Sequence, residues 1–243
     1  MKTKTLWLIP LALGAALGAG PARADMGELV PLTDTRNVFV PVGFDDNDET
    51  TVVLDGYLPD PCHRLRQPDV QIDAQKKTVT ITPFGERFQG YCPDFIVPYH
   101  QIVSLGKLRA SDYTVRVLGT DLQQPLAVTV AKNPGPDDYL YAPIDRAEVL
   151  KTGHGKMQAR LHGRFTDTCL VIEEVKVKNS GKTIEVLPIM KLLARPPHGL
   201  PCRPIERPFT AKVDLPQLAA GRYLLHVRSL NGQAVNEIFS TVW

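Results

Sequence analysis

Apolar and polar residues alternate one by one over many short stretches of this chain. Clear examples are residues 77–82, 113–117 and 171–177. This period of two is typical of β-strands with one buried face. The 3.6-residue period of an amphipathic helix is scarce, and the 21 prolines of the chain disfavour long helices. The pattern therefore predicts an all-β chain built from short strands, as in a β-sandwich.

The same pattern occurs twice in the chain. Residues 92–117 align with residues 202–227 without a gap, and eight of the 26 positions are identical. The identical pairs are Cys92 and Cys202, Pro98 and Pro208, Val103 and Val213, Leu105 and Leu215, Leu108 and Leu218, Ala110 and Ala220, Tyr113 and Tyr223, and Val117 and Val227. An internal repeat of this size indicates a duplicated structural unit.

A second, shorter motif supports the duplication and helps to place the domains. The motif Gly-x-apolar-x-Asp-x-Cys occurs at residues 56–62 and again at residues 163–169. The segment between the two copies is rich in proline, glycine and aspartate, which interrupt strands and helices. We therefore predict a first module at residues 25–132, a linker at residues 133–140 and a second module at residues 141–243.

The four cysteines allow three ways of pairing. The repeat favours one disulfide within each module, Cys62–Cys92 and Cys169–Cys202. A thiolate metal site is the alternative, but the chain has no Cys-x-x-Cys motif, and no two of its cysteines are close in sequence. We expect disulfides and predict no metal site and no cofactor.

A tyrosine motif in both copies links the repeat to a known type of fold. The run Leu-x-x-Leu-x-x-x-x-Tyr ends at Tyr113 and at Tyr223. It resembles immunoglobulin-like and fibronectin-like β-sandwich modules, including bacterial extracytoplasmic ones. The resemblance implies two tandem immunoglobulin-like modules, in which these tyrosines bond back to the chain at a corner. Since each tyrosine follows a cysteine by 21 residues, the expected disulfide is not the antibody inter-sheet bridge.

An aspartate precedes the first cysteine of each copy by two residues. These residues, Asp60 and Asp167, occupy the same position of the shorter motif. Features that two diverged copies share are more often structural than functional. We interpret both aspartates as turn residues that fix the approach of the chain to the disulfide.

The first residues have the pattern of a secretory signal peptide. Lys2 and Lys4 precede an apolar run at residues 6–19, and Ala-Arg-Ala follows as a cleavage site. A membrane anchor is the alternative, but the run is shorter than the roughly 20 residues that a bilayer requires. We predict a signal peptide at residues 1–24, cleavage after Ala24, and a periplasmic or secreted protein.

Charge argues against two classes of partner. Without Lys2, Lys4 and Arg23, the 28 basic residues fall to 25 against 26 acidic residues, so the mature chain has a net charge of −1. Its basic residues are scattered along the sequence. We therefore expect no binding to nucleic acid and no electrostatic attraction to an anionic membrane. We also predict no membrane span in the mature chain.

No catalytic motif stands out in the sequence. The six histidines form no metal-binding pair, although His154 and His162 could meet across a hairpin. The nucleophile motif Gly-x-Ser-x-Gly is absent. The acidic run at residues 45–49 lacks the glycine and terminal glutamate of a calcium loop, so a solvated hairpin tip is the favoured interpretation.

The leading hypothesis is a non-enzymatic binding or accessory protein of the cell envelope. Such modules bind through the loops at one end of the sandwich or through an edge strand. The partner would be an unidentified envelope protein, peptide or glycan. The alternative is an enzyme or enzyme inhibitor with a site in the cleft between the modules, for which His100 and His198 are candidates.

Overall fold

The computed structural model describes residues 27–135, 137–153, 156–194 and 201–241. The predicted signal peptide at residues 1–24 lies outside this range, as do His154 and His198. The described part of the chain is all β, which confirms the predicted fold class. None of the described residues forms a helix of the length and apolarity needed to cross a membrane.

In the described part of the chain, nine strands precede residue 130. They are β1 (Glu28–Pro31), β2 (Thr35–Phe39), β3 (Phe44–Asp45), β4 (Thr50–Leu58), β5 (His63–Asp73), β6 (Thr78–Arg87), β7 (Val97–Gly106), β8 (Ser111–Val117) and β9 (Gln123–Thr129). Strands β1, β3, β5, β6, β8 and β9 form a sheet that we name sheet I, and β2, β4 and β7 form sheet II.

Seven strands are formed by the described residues that follow residue 143. They are β10 (Ile144–Lys151), β11 (Met157–Phe165), β12 (Leu170–Ser180), β13 (Thr183–Leu192), β14 (Arg207–Asp214), β15 (Gly221–Arg228) and β16 (Ala234–Thr241). Strands β12, β13, β15 and β16 form sheet III, and β10, β11 and β14 form sheet IV. In the sequence, the strands of sheets I and II precede the predicted linker, and those of sheets III and IV follow it. The exact limits of the linker stay a prediction.

Seven strands of the two sandwiches correspond in order, β2 and β4 to β9 in the first and β10 to β16 in the second, whereas β1 and β3 have no counterpart among the described residues. Sheet III is the counterpart of sheet I, and sheet IV is the counterpart of sheet II. The match extends to an unusual detail, because β6 pairs with β8 in parallel and β13 pairs with β15 in parallel. Antibody domains have antiparallel sheets instead. Because both sandwiches contain this parallel strand pair, the duplication preserved a topology that differs from that of antibody domains.

Each sandwich has its own core between its two sheets. Leu54 and Ile81 are fully buried in the first core, and Leu161 and Ile184 are fully buried in the second. Burial of one such side chain contributes about 1.5–3 kcal/mol. Burial alternates along β6 and β11, as the period of two predicts, whereas most residues of β4 and β13 are buried in succession.

The repeated glycine of the shorter motif has a steric reason. A Cβ atom at Gly56 would collide with the carbonyl oxygen of Asp34, and one at Gly163 would collide with that of Pro143. In the first module the backbone just before β2 lies against β4 at this point, and in the second module the backbone just before β10 lies against β11. Only glycine permits so close an approach of two backbones.

Candidate functional site

The two modules are stacked on each other through the outer faces of sheets II and III. Phe39 and Val53 of sheet II pack against Leu224 and Ile238 of sheet III, and all but Ile238 are buried. The four sheets therefore lie in the order I, II, III, IV. Strand β15 is buried on both faces, because its alternate residues contact the second core and the first module.

Two ion pairs cross this junction. The guanidinium of Arg222 donates to both carboxylate oxygens of Asp55, at 2.8 and 2.7 Å. Arg228 donates to Asp48 Oδ2 at 3.0 Å and to the carbonyl oxygen of Gly43 at 3.2 Å. The charges of Asp48 and Arg228 are almost fully buried, with side chains 3% and 9% exposed. Buried pairs of this kind specify one docking geometry rather than supply much net stability.

Asp48 of the acidic run at residues 45–49 lies in this junction, so the interpretation of the run as a solvated hairpin tip is wrong for Asp48, whereas Asp46 and Glu49 are exposed. Asp48 is 2% exposed, and its Oδ2 also accepts the backbone N–H of Asp45. The preference of aspartate for turns was recognised correctly. The docking of a second module over the turn was not visible in the local sequence.

Two further polar groups are buried between the modules. Glu185 Oε1 accepts the backbone N–H of Val42 at 2.6 Å, and burial raises the pKa of Glu185. His226 is 1% exposed, and its Nδ1 lies 2.8 Å from Asn236 Oδ1. Burial lowers the pKa of His226 to about 4, and the nearby charge of Arg228 acts in the same direction.

The segment that joins the modules is bonded at several points. Asn47 Nδ2 donates to the carbonyl oxygens of Asn133 and Gly135. On the other side, the carboxylate of Asp137 accepts the backbone N–H groups of Asn231 and Gly232 in the β15–β16 turn. The linker thus reinforces the docking of the modules instead of acting as a flexible spacer.

Both predicted disulfides are present, and each ties the start of a strand to a loop. Cys62 precedes β5 and bonds to Cys92, while Cys169 precedes β12 and bonds to Cys202. Their Cα atoms are 5.7 and 5.4 Å apart, as is usual for disulfides. Neither bond has the position of the antibody inter-sheet bridge.

The aspartates of the shorter motif lie beside these disulfides. Asp60 Oδ1 accepts the backbone N–H of Cys62 at 2.8 Å, and Asp167 Oδ1 accepts that of Cys169 at 2.7 Å. Asp60 also bonds to His63 Nδ1 at 2.8 Å. Although burial opposes it, the hydrogen bonds from His63 and Cys62 lower the pKa of Asp60 overall.

The motif tyrosines occupy the same corner in both modules. The hydroxyl of Tyr113 donates to the carbonyl oxygen of Arg109, and that of Tyr223 donates to the carbonyl oxygen of Ala219, both at 3.1 Å. Both rings are buried in their cores. Each tyrosine bonds back to the residue four positions earlier, in the manner of the corner of immunoglobulin-like domains.

The sulfurs do not form a thiolate site. Among the described residues, two groups bring possible metal-binding atoms within 4.8 Å of one another: Asp60 with Cys62 and Cys92, and Asp167 with Cys169 and Cys202. In each group the two sulfurs are bonded to each other. A disulfide sulfur is not the thiolate that zinc uses as a ligand.

The loop between β6 and β7, residues 88–96, exposes three large apolar side chains within six residues of sequence. We name it the stapled loop, because Cys92 anchors it to the start of β5. Tyr91 is 94% exposed, Phe95 is 57% exposed and Ile96 is 59% exposed. Apolar side chains concentrated in this way on one loop indicate an interaction site. The sequence signal is an apolar stretch around Cys92 that does not alternate, so a period of two does not reveal it.

Edge strands are poorer candidates for partner binding, because several carry features that prevent strand addition. Strand β5 has Pro68 within a β-bulge. In β14, Pro208 occupies a position whose backbone N points away from the neighbouring strand β11. Strand β12 has a bulge at Glu173 and Glu174. Proline, bulges and charges are common protections of free sheet edges. Of the two modes predicted from the sequence, the geometry favours loops over edges.

Histidine–carboxylate contacts occur outside the junction. His162 Nε2 lies 3.1 Å from Glu148 Oε1, and its Nδ1 lies 3.2 Å from Thr210 Oγ1. The hydrogen bond from His162 is the main cause of the lowered pKa of Glu148. These side chains lie on the outward face of sheet IV as neighbours across three adjacent strands. An acyl-transfer site also needs a cavity and oxyanion donors, so we interpret them as a polar cross-strand network.

A cavity of about 230 Å³ lies at the junction, where the enzyme hypothesis places its site. Phe44, Thr51 and Arg228 contribute to its lining together with His226 and Asn236. The histidine there bonds to an amide and not to a carboxylate. His100 is an exposed residue of β7 and does not line this cavity.

Comparison with known proteins identifies one family. No curated protein and no solved structure matches the chain. The model of the ORF11 β-sandwich domain matches residues 52–128 and 159–241, which together make up more than half of the chain. The first segment runs from β4 to β9 and the second from β11 to β16, so each covers the same set of strands. The chain therefore belongs to the ORF11 β-sandwich domain family.

Proposed function

We propose that the protein is a non-enzymatic binding protein of the cell envelope, exported by its signal peptide, and that it holds a partner protein through the stapled loop. The observation that carries the proposal is the exposure of Tyr91, Phe95 and Ile96 on one disulfide-anchored loop. Aromatic side chains on a rigid support bind at low entropic cost and dominate many protein interfaces.

The stacked modules support this interpretation. A loop that must present an apolar patch benefits from a rigid scaffold, since ordering a flexible segment on binding lowers affinity. Here the disulfide anchors the loop to sheet I, and the junction fixes the first module to the second. The enzyme hypothesis receives no comparable support from the described residues, and it stays a prediction.

The test is site-specific photo-crosslinking in cells of the source organism. A benzoylphenylalanine at position 91 should form a specific adduct with an envelope protein, whereas the same group at exposed Leu118 should not. Equal adduct patterns at both positions, or no adduct at position 91, would overturn the proposal.

The energetic test uses the partner identified in this way. Replacing Tyr91, Phe95 and Ile96 together with serine should weaken binding by at least about 100-fold, because interface anchors of this type contribute about 1–2 kcal/mol or more each. The matched control replaces Leu29, Leu118 and Val130 with serine, which are 59%, 57% and 70% exposed elsewhere in the chain. The control should keep its affinity, and a similar loss in both variants would contradict the assignment to the loop.

A further inference from the structure

A cavity of about 440 Å³ lies at the seam between sheets I and II, where the second module meets the first. We name it the seam cavity. Strand β2 and the residues that follow it form one wall, the start of β9 forms the opposite wall, and the β12–β13 turn closes one end. Its volume falls within the range of small-molecule sites, about 300–1,000 Å³. Such sites are frequent at domain interfaces.

The lining of the seam cavity combines apolar residues with polar ones. Val40, Val42, Leu122 and Pro125 supply accessible apolar surface, whereas Val38 and Phe39 are buried in the first core and in the junction. The uncharged polar side chains of the lining are those of Asn37, Gln124, Ser180 and Thr183.

Arg36 and Lys182 are the charged residues of the lining, so its net charge is +2. Arg36 also forms an ion pair with Asp34, which lies outside the lining, and the Arg36 side chain stays 63% exposed. Lys182 Nζ has a long contact of 3.4 Å with Asn37 Oδ1. Lys182 is therefore the better placed of the two cations to receive an anion.

An added peptide strand is a poor fit for this cavity. Thr129 O accepts the N–H of Asp46, the residue after β3, so the alternate positions Ala127, Pro125 and Gln123 also face the open edge of β9. Pro125 has no N–H group, which interrupts the ladder of donors in the middle of this edge. The geometry favours a ligand that needs few backbone donors.

From the size, the apolar walls and the two cations, we infer that the seam cavity binds a small amphipathic carboxylate, with its chain between β2 and β9 and its headgroup at Lys182 and Arg36. The second module contributes Lys182 and completes the site. This function is separate from the stapled loop, so either proposal can fail without the other.

The experiment is isothermal titration of the full mature chain with decanoate below its micelle concentration. Decanoate should bind, while decanol and acetate should each bind at least about 10-fold more weakly, because one lacks the charge and the other lacks the apolar chain. Decyltrimethylammonium should not bind. Decanol binding as tightly as decanoate, or no binding of decanoate, would overturn the inference.

Three variants locate the site. Lys182→Glu should weaken decanoate binding by at least about 10-fold, and Gln124→Trp should abolish it by filling the cavity from an exposed strand position. Lys107→Glu makes the same charge change on a turn outside the cavity and should leave the affinity within about twofold. Circular dichroism shows whether each variant is folded. Unchanged affinity in folded Lys182→Glu or Gln124→Trp would overturn the inference.

Discussion

Replacement of Arg228 with methionine should lower the free energy of unfolding by about 3–5 kcal/mol. Methionine replaces the aliphatic part of the arginine side chain, but it lacks the guanidinium and leaves the carboxylate of Asp48 buried without its partner. Asp48 is 2% exposed, and its Oδ1 already lacks a hydrogen-bond partner among the described atoms. The cost is therefore the desolvation of an unpaired charge, together with the lost hydrogen bond to Gly43.

Urea unfolding at pH 7 measures this effect. The matched control is Arg36→Met, which breaks the pair with Asp34 on the surface and should cost less than about 1 kcal/mol. The double variant Arg228→Met with Asp48→Asn should recover part of the loss, because the unpaired charge is then removed. A cost for Arg228→Met no larger than that of the surface control would contradict the buried junction.

Acidification from about pH 6.5 to pH 4 should destabilise the protein by about 3 kcal/mol through His226 alone. The folded state keeps the imidazole neutral, with a pKa of about 4, because burial opposes its charge. The unfolded chain takes up a proton near pH 6.5. The unfolded state thus binds more protons in this window, so stability falls as the pH falls through it.

Urea midpoints between pH 4 and pH 7.5 test this prediction. Glu185 works in the opposite direction, since burial raises its pKa and favours its protonated form as the pH falls. The comparison is therefore between the native chain and His226→Gln, in which the Glu185 effect is the same. His226→Gln should show a flatter pH profile, whereas His100→Gln on an exposed strand should not. Parallel profiles for all three proteins would refute the role of His226.

Local sequence patterns were sufficient for the architecture of each module. The equal spacing from Cys92 to Tyr113 and from Cys202 to Tyr223 predicted equivalent disulfides, and both disulfides are present. Strand alternation works because one face of each strand contacts a core formed within the same module. The Asn231-Gly232 turn also joins β15 and β16 as its sequence predicts, with a positive φ at both residues.

The junction could not be predicted in the same way. In β15 the alternating apolar residues Tyr223 and Leu225 predict a face that contacts the core. His226 and Arg228 are polar and lie on the opposite face, which the pattern alone predicts to be exposed to solvent. They are buried because a second module covers them. The pairing of charged residues across the junction depends on how the two modules dock as rigid bodies. The sequence of a single strand holds no information about this docking. Consecutive apolar residues, as at Val53 and Leu54, were the available signal for a strand buried on both sides.

The two outermost faces of the stack differ from the faces that meet at the junction. Sheets II and III meet through unlike faces, and a contact of this type could in principle continue to further copies. The outward face of sheet IV carries Arg160 and His162 where sheet II has Val53 and Asp55. The outward face of sheet I carries Thr114 where sheet III has Leu224. Polar outer faces are the usual ends of a repeat stack.

The central claim is that the two modules form one cooperative, rigid scaffold for the stapled loop. Differential scanning calorimetry of the mature chain tests it most directly. We predict one transition, with a calorimetric enthalpy equal to the van't Hoff enthalpy. Arg228→Met should split or broaden that transition. Two separate transitions in the native chain, or a calorimetric enthalpy about twice the van't Hoff value, would show that the modules unfold independently and would contradict the account.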